Sequence, residues 1–139
     1  MASVIVDAGP IYAFLDRNEK HHDWACAQFR QMRAPLLTCD AALSEVCYLL
    51  QRSRSEIGAL REILRRKVIL SGFGSTHGLD RALELMAAYR DVPMSLADAC
   101  LVVMVEQNPG SVLFTLDRDF TIYRQQRRRL IPLIAPFSS

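Results

Sequence analysis

Hydrophobic positions along the chain fall into two rhythms. Short, nearly unbroken apolar runs recur at Val4-Ile5-Val6, Leu36-Leu37-Thr38-Cys39, Val68-Ile69-Leu70, Val112-Leu113-Phe114-Thr115 and Leu130-Ile131-Pro132-Leu133-Ile134. Such runs are the pattern of strands covered on both faces. Between them, apolar residues return every three or four positions, the period of helices. This alternation predicts an α/β chain with a mostly parallel sheet. Pro132 lacks the N–H that a ladder needs and so places the last strand at a sheet edge.

The intervening segments read as helices. Ala8-Gly9-Pro10 turns into the apolar stretch Ile11-Tyr12-Ala13-Phe14-Leu15, a short helix on the sheet, with Gly9 permitting close approach and Pro10 at a first helical position. A polar connection, Asp16 to Asp23, leads to a helix with Trp24, Ala27 or Gln28, and Phe29 or Met32 facing inward, ending before Pro35. Asp40 reads as the N-cap of a helix to about Arg52, with Leu43, Val46, Cys47 and Leu50 on one stripe. Its opposite side carries Glu45 among Ala41, Ala42, Tyr48 and Leu49, so that helix is expected to be buried all round and Glu45 to be covered. Ser53-Arg54-Ser55-Glu56 reads as a capping box opening a helix from Ile57 to about Arg66. After a loop from Gly72 to Gly78 comes a helix from Leu79 to about Tyr89, with Leu79, Ala82, Leu83 and Met86 on its stripe. Ser95-Leu96-Ala97-Asp98 begins a helix whose body, Ala99 to Val105, has no charged or hydroxyl side chain. A short helix to about Arg124 and the run Arg127-Arg128-Arg129 precede the last strand.

Length and composition narrow the class. With 139 residues, 50% of them hydrophobic, one domain over the whole chain is expected and two are excluded. No apolar run approaches the roughly 20 residues that span a bilayer, and the Met1-Ala2-Ser3 start has no basic n-region, so a soluble, cytoplasmic protein without a membrane partner is expected. The four cysteines, Cys26, Cys39, Cys47 and Cys100, form no C-x-x-C pair and have no histidine at zinc spacing; they suit buried thiols. A net charge of +2 does not by itself imply nucleic acid. The positive charge is nearly all arginine, which favours bidentate contact with phosphate or carboxylate. Arg127 to Arg129 read as a solvated turn, with a nucleic-acid contact as the other reading.

The candidate chemistry is acidic. Asp7 ends the first strand, Glu45 lies within a helix without a capping role, Asp98 stands in the first turn of the most apolar helix, and Asp117 and Asp119 follow the fourth strand. In a right-handed βαβ layout those connections open on one edge of the sheet, where α/β proteins bind ligands. Carboxylates that converge without bases call for a hard divalent cation, magnesium or manganese, which also suits phosphodiester hydrolysis. Plainer roles compete: Asp98 closing a capping box with Ser95, Asp117 or Asp119 capping a short helix, Asp7 as a turn residue. His21, His22 and His77 sit in polar loops and read as solvated; Ser44 has no neighbouring base to activate it; no Gly-rich phosphate loop is present.

With these residues laid out, the chain resembles a PIN domain, and more narrowly the compact bacterial toxins of the VapC type. The resemblance rests on Val6-Asp7-Ala8-Gly9-Pro10, Leu43-Ser44-Glu45-Val46, Leu96-Ala97-Asp98-Ala99 and Leu113-Phe114-Thr115-Leu116-Asp117-Arg118-Asp119-Phe120, short motifs that are specific through their order and spacing. It implies a single PIN domain over residues 1–139, with a five-stranded sheet of order 3-2-1-4-5 flanked by helices. It further implies a magnesium-dependent endoribonuclease, with manganese as a substitute, acting as the toxin of a toxin-antitoxin pair. Its partners would be an RNA substrate, a cognate antitoxin that blocks the active site, and a second copy in a homodimer. On that pattern Asp7, Glu45, Asp98 and Asp117 carry over as catalytic and metal-holding residues, Asp119 as a fifth candidate ligand, and Thr115 as a neighbour orienting a ligand. Hydrolysis would use water activated by one or two ions, with arginines at the rim meeting the RNA backbone. Other readings are a catalytically silent RNA- or protein-binding module of the same fold and a nuclease of RNA processing. A signalling receiver domain needs a lysine near the last strand, and the two lysines, Lys20 and Lys67, are misplaced for it.

Overall fold

The computed structural model describes residues 3–73 and 76–137. Met1 and Ala2, and Gly74 and Ser75 of the expected Gly/Ser loop, lie outside the described residues. In chain order the elements are β1 (Val4–Val6), α1 (Ala8–Leu15), α2 (His22–Gln31), β2 (Leu36–Thr38), α3 (Asp40–Arg52), α4 (Ile57–Arg65), β3 (Ile69–Ser71), α5 (Thr76–Ala88), α6 (Leu96–Gln107), β4 (Val112–Phe114), a 3-10 turn (Arg118–Thr121), β5 (Arg124–Gln125), β6 (Arg129–Leu130) and β7 (Leu133–Ile134). The main sheet has the order β3-β2-β1-β4-β7, and all of its pairs are parallel. The expected order 3-2-1-4-5 therefore holds, with Leu133–Ile134 as the fifth strand at an edge that includes the residue after Pro132. The expected short helix before Arg124 forms as the 3-10 turn, ending at Thr121, and a separate antiparallel hairpin, β5–β6, follows it ahead of the fifth strand.

β1 lies at the centre, with Ile5 opposite Leu37 on one side and Leu113 on the other. Ile5 and Val6 are both fully buried, as are Leu113 and Phe114. Successive strand residues point to opposite faces, so both faces of the central strands are covered. Trp24 and Phe29 of α2 pack edge-on to Phe114, with ring centroids 5.5 and 5.2 Å away. α6 is covered almost all round, Ala97 and every residue from 99 to 105 being buried, as its unbroken apolar body predicts. No helix among the described residues is long and apolar enough to cross a membrane.

Several local expectations are corrected. Asp40 is the first residue of α3 and Cys39 its cap; the Asp40 carboxylate instead accepts the Ser71 hydroxyl. The box expected at Ser53 and Glu56 does not form: Ser53 closes α3, where its hydroxyl donates to the Leu50 carbonyl, and Glu56 precedes α4 without a side-chain cap. Pro10 is the third residue of α1, where its missing N–H is still one of the first-turn orphans. His22 belongs to α2, where its Nδ1 meets the Ala13 carbonyl at 2.7 Å, and His77 belongs to the first turn of α5, so neither is a loop histidine. α5 turns Ala82 and Leu85 inward while Leu79 and Leu83 stay 43% and 58% exposed. That helix has apolar residues on more than one face, and the face carrying Tyr89, which meets the Tyr123 ring at 5.2 Å, is the one that packs.

The hairpin turns through Gln126 and Arg127, both at positive φ (48° and 70°), where side chains are strained by about 1 kcal/mol or more each. It is held by the Gln126 N–H donating to Glu106 Oε2 at 2.6 Å, and Glu106 receives two bonds from Arg81, at 3.1 and 3.2 Å. The fold rests more heavily on the ring cluster under β4. Phe114→Ala is expected to cost about 3–5 kcal/mol of stability, read as an earlier urea midpoint at unchanged slope. A loss below about 1 kcal/mol would show that Trp24 and Phe29 close over the gap.

Candidate active site

Because β1, β2, β4 and β7 run parallel, the segments leaving their C-terminal ends all emerge at one edge of the sheet. Asp7 directly succeeds β1, and its N–H continues the ladder to the Phe114 carbonyl at 2.9 Å. Its side chain is only 6% exposed. Oδ1 accepts the Ala8 N–H at 2.7 Å, capping α1, and Oδ2 accepts the Thr115 hydroxyl at 2.8 Å. Thr115, fully buried, also accepts the Asp117 N–H at 3.0 Å, and Asp117 Oδ1 accepts the Asp119 N–H at 2.9 Å. One hydroxyl thus ties the end of β1 to the loop after β4. From the other side, the Thr38 hydroxyl donates to the Val6 carbonyl at 2.8 Å.

Asp98 does two jobs at once. It completes the capping box of α6, the Ser95 N–H donating to its Oδ2 at 3.1 Å and its own N–H donating to Ser95 Oγ at 3.0 Å. It also lines, with Asp7, Glu45 and Asp117, a cleft of about 260 Å³ whose other walls are Ala8, Gly9, Leu49 and Leu116. A Cβ on Gly9 would come within 3.3 Å of the Leu116 side chain, so glycine lets the first turn of α1 sit against that wall. Asp119 does not line the cleft; it stands in the 3-10 turn that Asp117 caps, where its charge is felt by Asp98.

Glu45 departs from its expected setting. Together with Ser44 it is exposed, and Tyr48 nearby is 61% exposed. The buried stripe of α3 is Ala42, Val46 and Leu50, and the side reaching toward the cleft faces solvent. Glu45 is therefore an open carboxylate aimed into a shared cleft, not one enclosed by its helix. Two further residues gave no signal in the sequence. Thr38 fell within an apolar run, and Tyr123 sat at the start of a polar stretch, between Ile122 and Arg124; yet Tyr123 is fully buried and its hydroxyl donates to the Pro93 carbonyl at 2.5 Å. Burial, then the charges of Asp98, Asp119 and Asp117, push its phenol pKa up.

The electrostatics reflect crowding without counter-charge. Burial pushes Asp7 up to about 7 from a normal 3.8, against the pull of the Thr115 and Ala8 hydrogen bonds and with the help of Asp98 and Glu45. Asp98 is raised by burial and by Asp117 and Asp119, partly offset by Ser95; Glu45 is raised by its partial burial and by Asp98 and Asp117. Among the described residues no ion pair involves Asp7, Glu45, Asp98, Asp117 or Asp119. An all-oxygen donor set in which Asp7, Asp98 and Glu45 are raised, with no lysine or arginine paired to it among the described residues, fits a hard divalent cation. The fit is of chemistry, not of a finished cage: among the described residues no three His, Cys, Asp or Glu side chains stand as a ready ligand group.

Comparison with known proteins is informative at this point. A family model described as the PIN domain matches residues 4–125. Among solved structures, the chain is similar to Mycobacterium tuberculosis VapC20, described as a sarcin-ricin loop cleaving toxin, with a TM-score of 0.78 and 19% identity over 91% of this chain and 99% of that one. No curated protein matches.

The position of Asp7 sets a measurable pH dependence. Its folded-state pKa lies above its unfolded one, so between about pH 4 and pH 7 the unfolded chain releases a proton that the fold retains, and stability falls as pH rises through that window. Asp7→Asn should therefore gain about 2–4 kcal/mol on the metal-free wild type between about pH 4 and pH 8, whatever constant offset the substitution adds. Urea unfolding at a series of pH values reads this directly. Parallel curves for the two proteins would mean that Asp7 ionises normally.

Proposed function

The chain belongs to the PIN-domain family, and from that membership we propose that it is a metal-dependent endoribonuclease, the toxin of a toxin-antitoxin pair, cutting RNA at the cleft between Asp7 and Asp98. The observation that carries the reading is the buried carboxylate of Asp7, poised near neutrality beside three further acids and, among the described residues, in no ion pair. Likeness of fold to a toxin described as cleaving the sarcin-ricin loop supports RNA as the substrate class. A cleft at a sheet edge favours single-stranded or looped RNA, whose nucleotides can be splayed, over a duplex.

In this reading Asp7, Glu45, Asp98 and Asp117 hold one or two magnesium ions, manganese serving as a substitute, with Asp119 outside the cleft as a supporting charge. When bound, such an ion polarises a phosphoryl oxygen and lowers the pKa of a water, the two needs of phosphodiester hydrolysis. The chain supplies orientation. Thr115 and the Ala8 N–H fix both oxygens of Asp7, and Ser95 fixes one oxygen of Asp98, so these two acids are held in place. Glu45, exposed on α3, is the acid free to adjust as substrate enters. The expected partners are RNA, an antitoxin covering the cleft and a second copy of the chain, all in the cytoplasm.

The test is cleavage of labelled structured and single-stranded RNAs by the purified protein with magnesium, manganese or EDTA. Metal-dependent cutting is expected, with Asp98→Asn lowering the rate by about 100-fold or more while leaving the unfolding midpoint within about 1 kcal/mol of wild type. Cutting that survives EDTA, or that Asp98→Asn leaves intact, would sink the proposal; RNA binding without cutting would instead favour a silent module.

A further inference from the structure

β7 runs parallel to β4 with Ile134 opposite Phe114, and the Thr115 N–H donates to the Ile134 carbonyl at 3.0 Å. The segment past Ile134 therefore leaves the sheet at the edge where Asp7 and Asp117 emerge. Three residues on, the ring of Phe137 lies against the guanidinium of Arg118, carbon to centroid 4.6 Å. Arg118 directly follows Asp117, opens the 3-10 turn and is exposed. Among the described residues it makes no ion pair, although acids flank it in the sequence on both sides.

An arginine next to a cluster of carboxylates ordinarily neutralises them. Here the guanidinium lies over an aromatic ring, which stabilises the cation, and among the described residues no carboxylate takes its N–H donors in an ion pair. Those donors match the fork of a phosphate. The other basic candidate, the run Arg127 to Arg129, is badly sited for the same task. Its hairpin is pinned to Glu106 at one end of α6, whereas Asp98 is at the other, about 12 Å away at 1.5 Å per residue.

We propose that Arg118 binds a backbone phosphate of single-stranded RNA beside the acidic cleft, and that Phe137 is the positioning residue that holds its guanidinium there. The proposal rests on the nuclease reading above and specifies how that site grips a polyanion its own carboxylates would repel. Without Arg118, substrate is held less tightly; the chemistry at the acids is not directly touched.

Steady-state cleavage of a short RNA that the wild type cuts, at about 50 and 200 mM salt, tests this. Arg118→Gln should raise KM about tenfold, move kcat far less, and flatten the salt dependence of binding by about 0.7 in log–log slope, one phosphate contact on a single strand. Phe137→Leu should raise KM severalfold, and Phe137→Tyr, which keeps the ring under the guanidinium, should restore it. Unchanged KM and slope in Arg118→Gln, or equal behaviour of Phe137→Leu and Phe137→Tyr, overturns the proposal while the nuclease reading stands. A wild type that neither cuts RNA with metal nor binds an oligouridylate in EDTA overturns both.

Discussion

A carboxylate buried at the end of the central strand, with no cationic side chain among the described residues paired to it, is the constraint around which the site is arranged. Removing such a group from water costs several kcal/mol when it is ionised. The chain meets that cost with two hydrogen bonds and a retained proton rather than with a lysine or arginine. A neutralising base would make the fold more stable and would close the edge to a cation. Stability given up at such a position is the usual mark of a site kept open for a ligand. The same constraint shapes the neighbours: Thr115 must be buried to reach Asp7, Thr38 must hold the Val6 carbonyl, and Gly9 must leave room for Leu116.

Structural and chemical roles coincide in the same side chains. Asp7 caps α1, Asp98 caps α6 and Asp117 caps the 3-10 turn, and each of the three also lines the cleft. Capping fixes a rotamer through bonds to backbone that cannot move without unwinding a helix, which is how a first layer of ligands is held rigid by a second. Capping a helix and lining the cleft are therefore not alternatives for these acids.

Much of this was legible in the chain because it depends on local pattern. Apolar runs marked β1, β2 and β4, and an acid at the end of a fully buried run was enough to single out Asp7; the unbroken body of α6 made Asp98 conspicuous. What was not legible depends on which of several apolar faces is turned inward. Tyr48 and Leu49 suggested that α3 is covered all round, yet the helix packs through Ala42, Val46 and Leu50 and leaves Glu45 open. On α5 the expected stripe ran through Leu79 and Leu83, yet the helix packs through Ala82 and Leu85 and leaves those two exposed. Tyr123 itself, buried beside the acids through a contact with Pro93 thirty residues away in sequence, belongs to tertiary structure alone.

The bond between Thr115 and Asp7 joins residues 108 positions apart. Strand pairing of that span is closed late, because the loop entropy must be met before the contact rewards it. A growing chain on the ribosome therefore carries Asp7 and Glu45 exposed and unpartnered for most of its synthesis, and their cleft is walled only after the segment through Asp117 has been added. Chains that stop short of Asp117 lack the assembled edge, so whatever this site does is confined to molecules synthesised past that point.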